Sequence, residues 1–160
     1  MKKAEKTNAL RMLGQHKIPF EAHDYTSSGA VSGADVAAAL GEDPERVFKT
    51  LVTAGKSGQH YVFVVPVCRE LDLKKAASAV KEKNVAMIPQ KELLPLTGYI
   101  HGGCSPIGMK KLFPTVLHRS AEGLETLCVS GGRIGLQVEL RPADLGKLVP
   151  YTLADIVTEE

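Results

Sequence analysis

Apolar side chains recur at helical spacing near the start of the chain and at strand spacing through its middle. Within residues 4–16, Ala9, Leu10 and Leu13 fall together while Thr7 and Arg11 lie on other faces, which predicts an amphipathic helix. Residues 20–25 follow Pro19 and predict a short strand, and Ser27, Ser28 and Gly29 mark a loop. The run Ser32-Gly33-Ala34-Asp35 resembles a capping box, with Asp in place of the usual Glu, for a helix that Gly41 closes. Asp43-Pro44 has the form of an N-cap followed by proline at the first helical position.

Residues 48–54 and 60–67 are two strong strand runs, and the polar, glycine-containing stretch 55–59 between them predicts a hairpin. Asp72 predicts a cap for a helix over 73–83. A short strand over 85–88 and a short helix over 89–96 follow, the latter ending at Thr97-Gly98. Residues 115–119 and 125–130 predict strands around a turn, 135–140 another strand, and 142–148 a last helix opened by proline. No internal repeat occurs, and strands and helices alternate without a βαβ rhythm. Short turns between the later strands predict antiparallel pairs. The expectation is one α/β domain of the α+β kind spanning 1–160, with a mixed, largely antiparallel or partly closed sheet and helices packed outside.

Composition narrows the function classes. At 160 residues, 44% apolar and 24% charged, the chain can bury a full core and is not of the disordered class. A net charge of +2 is too small for a general nucleic-acid binder, and no DNA partner is expected. Any RNA contact must come from a local patch. Lys74-Lys75 with Lys81 and Lys83, and Lys110-Lys111, are the candidates, with a solvated face as the plain alternative for each. No apolar stretch is long enough to span a membrane, and no apolar core follows the charged N-terminus. A cytoplasmic location is the expectation. Cys68, Cys104 and Cys128 are odd in number and widely spaced, which argues against a disulfide framework. No ligand spacing predicts a structural metal, and no metal or cofactor is expected.

The candidate chemistry lies in one lysine and two glycine loops. Lys49 sits in the apolar run Val47-Phe48-Lys49-Thr50-Leu51-Val52, where a lysine either snorkels to an edge or points into a pocket. Gly102-Gly103-Cys104-Ser105-Pro106-Ile107-Gly108 has a superficial P-loop spacing, but Met109 stands where Gly-Lys-Ser/Thr should continue, so an NTPase reading is poor. A loop that offers N–H groups to a carbonyl oxygen fits better, against a plain structural turn. Val129-Ser130-Gly131-Gly132-Arg133-Ile134-Gly135 is a strand end and turn. Ser130 lacks a nucleophile elbow, Arg133 can meet a phosphate, and Glu139 in its apolar strand is expected to be a paired carboxylate. Among the histidines, His101 borders the first glycine loop.

Taken in order, Val47-Phe48-Lys49-Thr50-Leu51, Leu71-Asp72-Leu73-Lys74-Lys75-Ala76-Ala77, the 97–108 segment and the 129–136 segment strongly resemble the YbaK/EbsC family. These are free-standing Cys-tRNA(Pro) deacylases related to the editing domain of bacterial prolyl-tRNA synthetases. Lys17-Ile18-Pro19-Phe20 with His23 and Tyr25 also resembles the family, and the resemblance spans nearly the whole chain. It implies a mixed sheet curling toward a barrel, and a trans-editing hydrolase for Cys-tRNA(Pro), extending to Cys-tRNA(Cys), with prolyl-tRNA synthetase as partner. The related alternatives are an Ala-tRNA(Pro) deacylase and a non-catalytic tRNA or synthetase binder. The implied catalytic positions are Lys49, Gly102 and Gly103. The implied substrate contacts are Tyr25, Thr50, His101, Cys104, Ser105, Ser130 and Gly131. The mechanism implied uses the substrate's own thiol as nucleophile. This chain departs from the family at Cys104, where isoleucine is common, at 28–32, which lack an aromatic residue, and at Gln137, where some relatives carry aspartate.

Overall fold

A computed structural model of the chain describes residues 7–29 and 33–159. The first part of the expected N-terminal helix, residues 4–6, and the expected Ser32 cap lie outside the described residues. Helix α1, Asn8–Gln15, opens at Thr7, whose hydroxyl accepts from Leu10 N–H, and it buries Ala9 and Leu13. Strand β1 is Glu21–Asp24, and helix α2 is Gly33–Leu40. Asp43 caps a short 3-10 turn, Pro44–Arg46, that delivers the chain into β2, Phe48–Gly55.

Strand β2 turns through the expected hairpin into β3, His60–Pro66, with Lys49 opposite Val65 and Thr53 opposite Tyr61. The Asp72 carboxylate caps α3, Leu73–Ala79, by accepting from the N–H groups of Lys74 and Lys75. This helix stops short of the expected 83, because Lys81 adopts a positive φ of 61° that ends helical geometry. Strand β4 is Val85–Met87, and α4, Leu93–Thr97, is preceded by a 3-10 turn and ended by left-handed Gly98. The later elements are β5 (Thr115–His118), β6 (Leu127–Ser130), β7 (Leu136–Leu140), α5 (Pro142–Leu148) and β8 (Tyr151–Ala154).

The strands form two sheets. The larger has the order β4-β2-β3-β5-β8 and the smaller β1-β7-β6. The curl expected of a single sheet is realised as a seam where a parallel bridge joins Val47 to Cys128. Among the described residues the two sheets do not close into a barrel. The expectation that 115–119 and 125–130 pair around a turn is corrected. The 3-10 turn Arg119–Gly123 carries the chain out of the larger sheet into the smaller one. Strand β5 instead pairs parallel to β3 and to β8, since each arrives by a long crossover rather than a hairpin. Strand β8 was not expected from the sequence.

Alternate residues divide the core. Phe48, Val52, Val62, Val64 and Leu117 pack on one face of the larger sheet with Leu13, Val129, Val138 and Leu145. Phe63, Val65 and Val116 pack on the other face against Ala76 and Ala77 of α3. The site described below draws on both faces of β2, with Phe48, Thr50 and Val52 from the first and Lys49 and Leu51 from the second. Among the described residues no helix is long and apolar enough to cross a membrane.

The small sheet is braced by a network centred on Glu139. Its carboxylate meets His23 Nε2 at 2.9 Å, accepts from an Arg46 guanidinium N–H at 2.9 Å and from the Thr126 hydroxyl at 2.5 Å. The Thr126 and His23 bonds, with the Arg46 charge, hold the Glu139 carboxyl below its ordinary value. A group of depressed folded pKa contributes stability above its unfolded value and loses it as pH falls through the folded one. Glu139→Gln is therefore expected to cost about 1–3 kcal/mol at neutral pH, from the bonds to charged groups that are lost. The difference from wild type should shrink as pH drops below about 4.5, and urea denaturation at pH 7 and pH 4 checks this.

Candidate functional site

A cavity of about 410 Å³ opens along β2, beside the small sheet. Strand β2 contributes Lys49 and Thr50. Tyr25 comes from just after β1, Ser130 from the end of β6 and Gln137 from β7, while His101, Gly102 and Cys104 come from the first glycine loop. Segments more than 100 residues apart thus converge on one concavity. Phe48, Val52, Ile88 and Leu93 give it an apolar wall. An apolar pocket with a few directed polar groups is the usual form of a small-molecule site.

Lys49 is half-buried rather than sunk in the strand core, and it lines the cavity. Among the described residues it enters no ion pair and no side-chain hydrogen bond. Next to it, the Thr50 hydroxyl is buried with no partner. Across the cavity Gln137, 6% exposed, donates from its amide nitrogen to the Tyr25 hydroxyl at 3.4 Å, which leaves Oε1 buried and unpaired. Register places Gln137 opposite both His23 and Ser130, so the three strands of the small sheet meet here. Buried polar atoms without partners are rare in folded proteins, and two of them facing one cavity call for a ligand that supplies the missing bonds.

The other expected contacts divide. His101 lies exposed at the cavity mouth, and Gly102 beside it lines the wall. Among the described residues the Gly102 N–H donates to no acceptor, so it is free for a ligand. The Ser130 hydroxyl accepts from Gly132 N–H at 3.1 Å and lines the cavity. Cys104 also lines it, and burial pushes its thiol up to about 12. At neutral pH it is a protonated, weakly nucleophilic group.

Gly103, Ser105 and Gly131 do not line the cavity. Gly103 N–H is committed to the Ile100 carbonyl at 3.0 Å, and this corrects the expectation that it faces a substrate carbonyl. Its function is packing: a Cβ on Gly103 would lie 2.9 Å from the Arg133 backbone, so only glycine lets the two glycine loops touch. Gly131 gives its N–H to Leu136 and its carbonyl accepts from the Thr7 hydroxyl. Ser105 is fully buried and accepts from Ile107 N–H at 3.1 Å. Helix α1 thereby fastens both loops, since Asn8 also donates to the Gly108 carbonyl at 2.6 Å.

Arg133, read from the sequence as a phosphate partner, meets Asp24 at 3.0 Å and the Thr26 hydroxyl at 3.1 Å. Thr26 and Arg133 together hold the Asp24 carboxyl down to about 2. His23, Cys128 and Glu139 bring three ligand-type atoms within 4.8 Å of one another. Arg46 and Thr126 already occupy the carboxylate, so the trio reads as part of the ion-pair network rather than a metal centre. Sequence reasoning placed neither Gln137 nor the apolar wall residue Leu93 in the site. An uncharged amide between Leu136 and Val138 was the available signal for the first.

The model of the aminoacyl-tRNA editing domain matches residues 28–148. A protein of Enterococcus faecalis, provisionally named Cys-tRNA(Pro)/Cys-tRNA(Cys) deacylase EbsC, is 46% identical over 99% of this chain and 98% of its own length. The proline–tRNA ligase of Pelobacter propionicus is 30% identical over 91 residues, which cover 57% of this chain and 16% of the ligase. The crystal structure of a provisionally named trans-editing enzyme for prolyl-tRNA synthetase superimposes with a TM-score of 0.84. It is 24% identical, and the match covers 98% of this chain and 100% of the other, which bears on the fold alone.

Proposed function

The chain belongs to the aminoacyl-tRNA editing domain family, and on that premise we propose that it is a trans-editing deacylase that hydrolyses the ester of Cys-tRNA(Pro), with Cys-tRNA(Cys) as a second substrate. The observation that carries this reading is the make-up of the cavity. It gathers a cation, hydroxyls and an unused N–H around an apolar wall, and its own thiol is held protonated. Cysteine and proline are near in size, so a synthetase pocket rejects cysteine weakly and a second site must remove it.

The nucleophile in this reading is the substrate's thiolate. It attacks the ester carbonyl carbon, a C–S bond forms, and the carbonyl electrons move onto oxygen. Collapse of that oxyanion breaks the bond to the ribose oxygen, which leaves as a hydroxyl with the proton that the thiol gave up. Cysteine departs as a four-membered cyclic thioester, which water opens. The thiol lies within the same residue as the ester, so proximity replaces a protein nucleophile. Lys49 holds the ribose and phosphate end in register, and Gly102 N–H meets the developing oxyanion. The unpaired oxygens of Thr50 and Gln137 accept from the ribose hydroxyls and the α-ammonium. Tyr25 orients Gln137, Ser130 walls the cavity floor, and His101 borders the entrance.

We read the whole chain as one editing domain acting in the cytoplasm, where aminoacyl-tRNA is made and used. With a net charge of +2, its intrinsic hold on tRNA is modest, and prolyl-tRNA synthetase lends the tRNA specificity. The test is release of labelled cysteine from Cys-tRNA(Pro) in the presence of that synthetase, and an ester left intact refutes the reading. Cys104→Ala sharpens it. Since the Cys104 thiol is not the nucleophile, the variant is expected to keep kcat within about threefold, as truncation of one small side chain at the wall costs little orientation. Loss of more than about 10³-fold would make Cys104 the nucleophile instead.

A further inference from the structure

The formal charge of +2 is unevenly spread. Residues 87–112 hold three lysines, Lys91, Lys110 and Lys111, against one acid, Glu92, so this segment alone accounts for the whole excess. The same segment forms the cavity mouth: Met87, Gln90, His101 and Gly102 are exposed, and all four line the cavity.

Two of its lysines lie at α4, and the third follows in sequence. Lys110 lays its stem over Gly98 and donates from Nζ to the Pro95 carbonyl at 3.3 Å. Lys91 lies one helical turn before Pro95, and the Lys111 ammonium stands 5.8 Å from the Phe113 ring centroid. Among the described residues Lys91 and Lys111 enter no ion pair. In the same segment Leu94 is 51% exposed and Ile100 is 49% exposed, so it offers apolar surface as well as positive charge. The other lysine tract behaves differently. Lys75 is tied to Asp155 at 3.0 Å and to the Val157 carbonyl, and no residue of α3 lines the cavity.

We propose that this face around α4 is the track on which the unpaired 3′ end of the substrate tRNA lies as its last nucleotide enters the cavity. The inference rests on the deacylase reading. A single strand offers phosphates and flat base faces, and its binders pair cationic grooves with apolar platforms. Lys91, Lys110 and Lys111 meet the phosphates, and Leu94 and Ile100 pack against the bases. The continuity of this face with the cavity mouth sets the direction of approach.

The test compares Cys-tRNA(Pro) with the cysteinyl ester of adenosine, which reaches the cavity but has no strand to lay on the track. Lys91→Ala/Lys111→Ala is the variant, because Lys110 also supports α4, and Lys74→Ala/Lys83→Ala is the control. The track variant should lose about 10–30-fold in kcat/KM on the tRNA, mainly through KM, and little on the nucleoside ester. Its dependence of log kcat/KM on log salt should flatten by about 1.4, for two single-strand phosphate contacts released. The control should match wild type. Equal losses on both substrates, or an unchanged salt slope, would overturn the track. A wild-type protein that cleaves neither ester would instead sink the deacylase reading.

Discussion

Lys49→Ala is expected to lower kcat/KM for Cys-tRNA(Pro) by about 10²–10³-fold while leaving thermal stability unchanged. The functional half follows from the loss of a cation positioned against a substrate that carries phosphate and an ester oxygen, a contact of the size removed when one charge-stabilising donor is deleted. The stability half follows from what Lys49 lacks. Among the described residues it has no ion pair and no side-chain hydrogen bond, and it is half-buried, so its removal orphans nothing within the fold. Most damaging substitutions act through stability, so activity lost at constant melting temperature is a signature of a ligand-directed group. Lys49→Arg is not expected to rescue, because a planar guanidinium does not present the same point charge in a cavity of about 410 Å³. A matched fall in melting temperature would show instead that Lys49 serves the sheet.

Gly103→Val should be the most disruptive single change at the site, although Gly103 does not line the cavity. Even a Cβ there meets the Arg133 Cα and carbonyl carbon and the Ile134 nitrogen at 2.9 Å, and all of these are backbone. No flexible side chain can swing aside, so the two glycine loops must part. Gly132 beside them cannot easily adjust, because it holds a φ of 106° and sits against Thr7 and Tyr99. Overpacking of this kind costs about 1–3 kcal/mol or more. Displacement of Gly102 and Ser130 by even 1 Å should lower kcat by about 10²-fold. Gly103→Ala should show the same sign with smaller size. Thermal melts run beside single-turnover rates check both, and a Gly103→Val protein with wild-type rate and stability would mean that the loops need not touch.

The sequence showed these features unevenly. The β2–β3 hairpin was legible because runs rich in β-branched and aromatic residues flank a glycine-containing turn, and the Asp72 cap because it needs only local contacts. The parallel pairs of β5 were not legible. They join residues separated by tens of positions, and the Arg119–Gly123 turn that decides them resembles any short connection. Strand β8 escaped notice as a four-residue edge strand whose burial does not alternate. At the site, Lys49 stood out because an ammonium in an apolar run is costly without a reason. Gln137 showed only as a departure from relatives, because whether its Oε1 is paired depends on a Tyr25 hydroxyl 112 residues away. The glycines misled in the other direction. A glycine loop is read as a cradle for a ligand, whereas Gly103 and Gly131 spend their N–H groups on Ile100 and Leu136 and give the loops their close approach.

The central claim, that the substrate's own thiol breaks the ester, is tested most directly by single-turnover hydrolysis of tRNA(Pro) charged in turn with cysteine, serine and alanine. The account predicts rapid loss of cysteine, with the serine and alanine esters cleaved at least about 10²-fold more slowly, because they lack the intramolecular nucleophile. Alanine released as fast as cysteine would contradict it and would place the protein among deacylases that activate water.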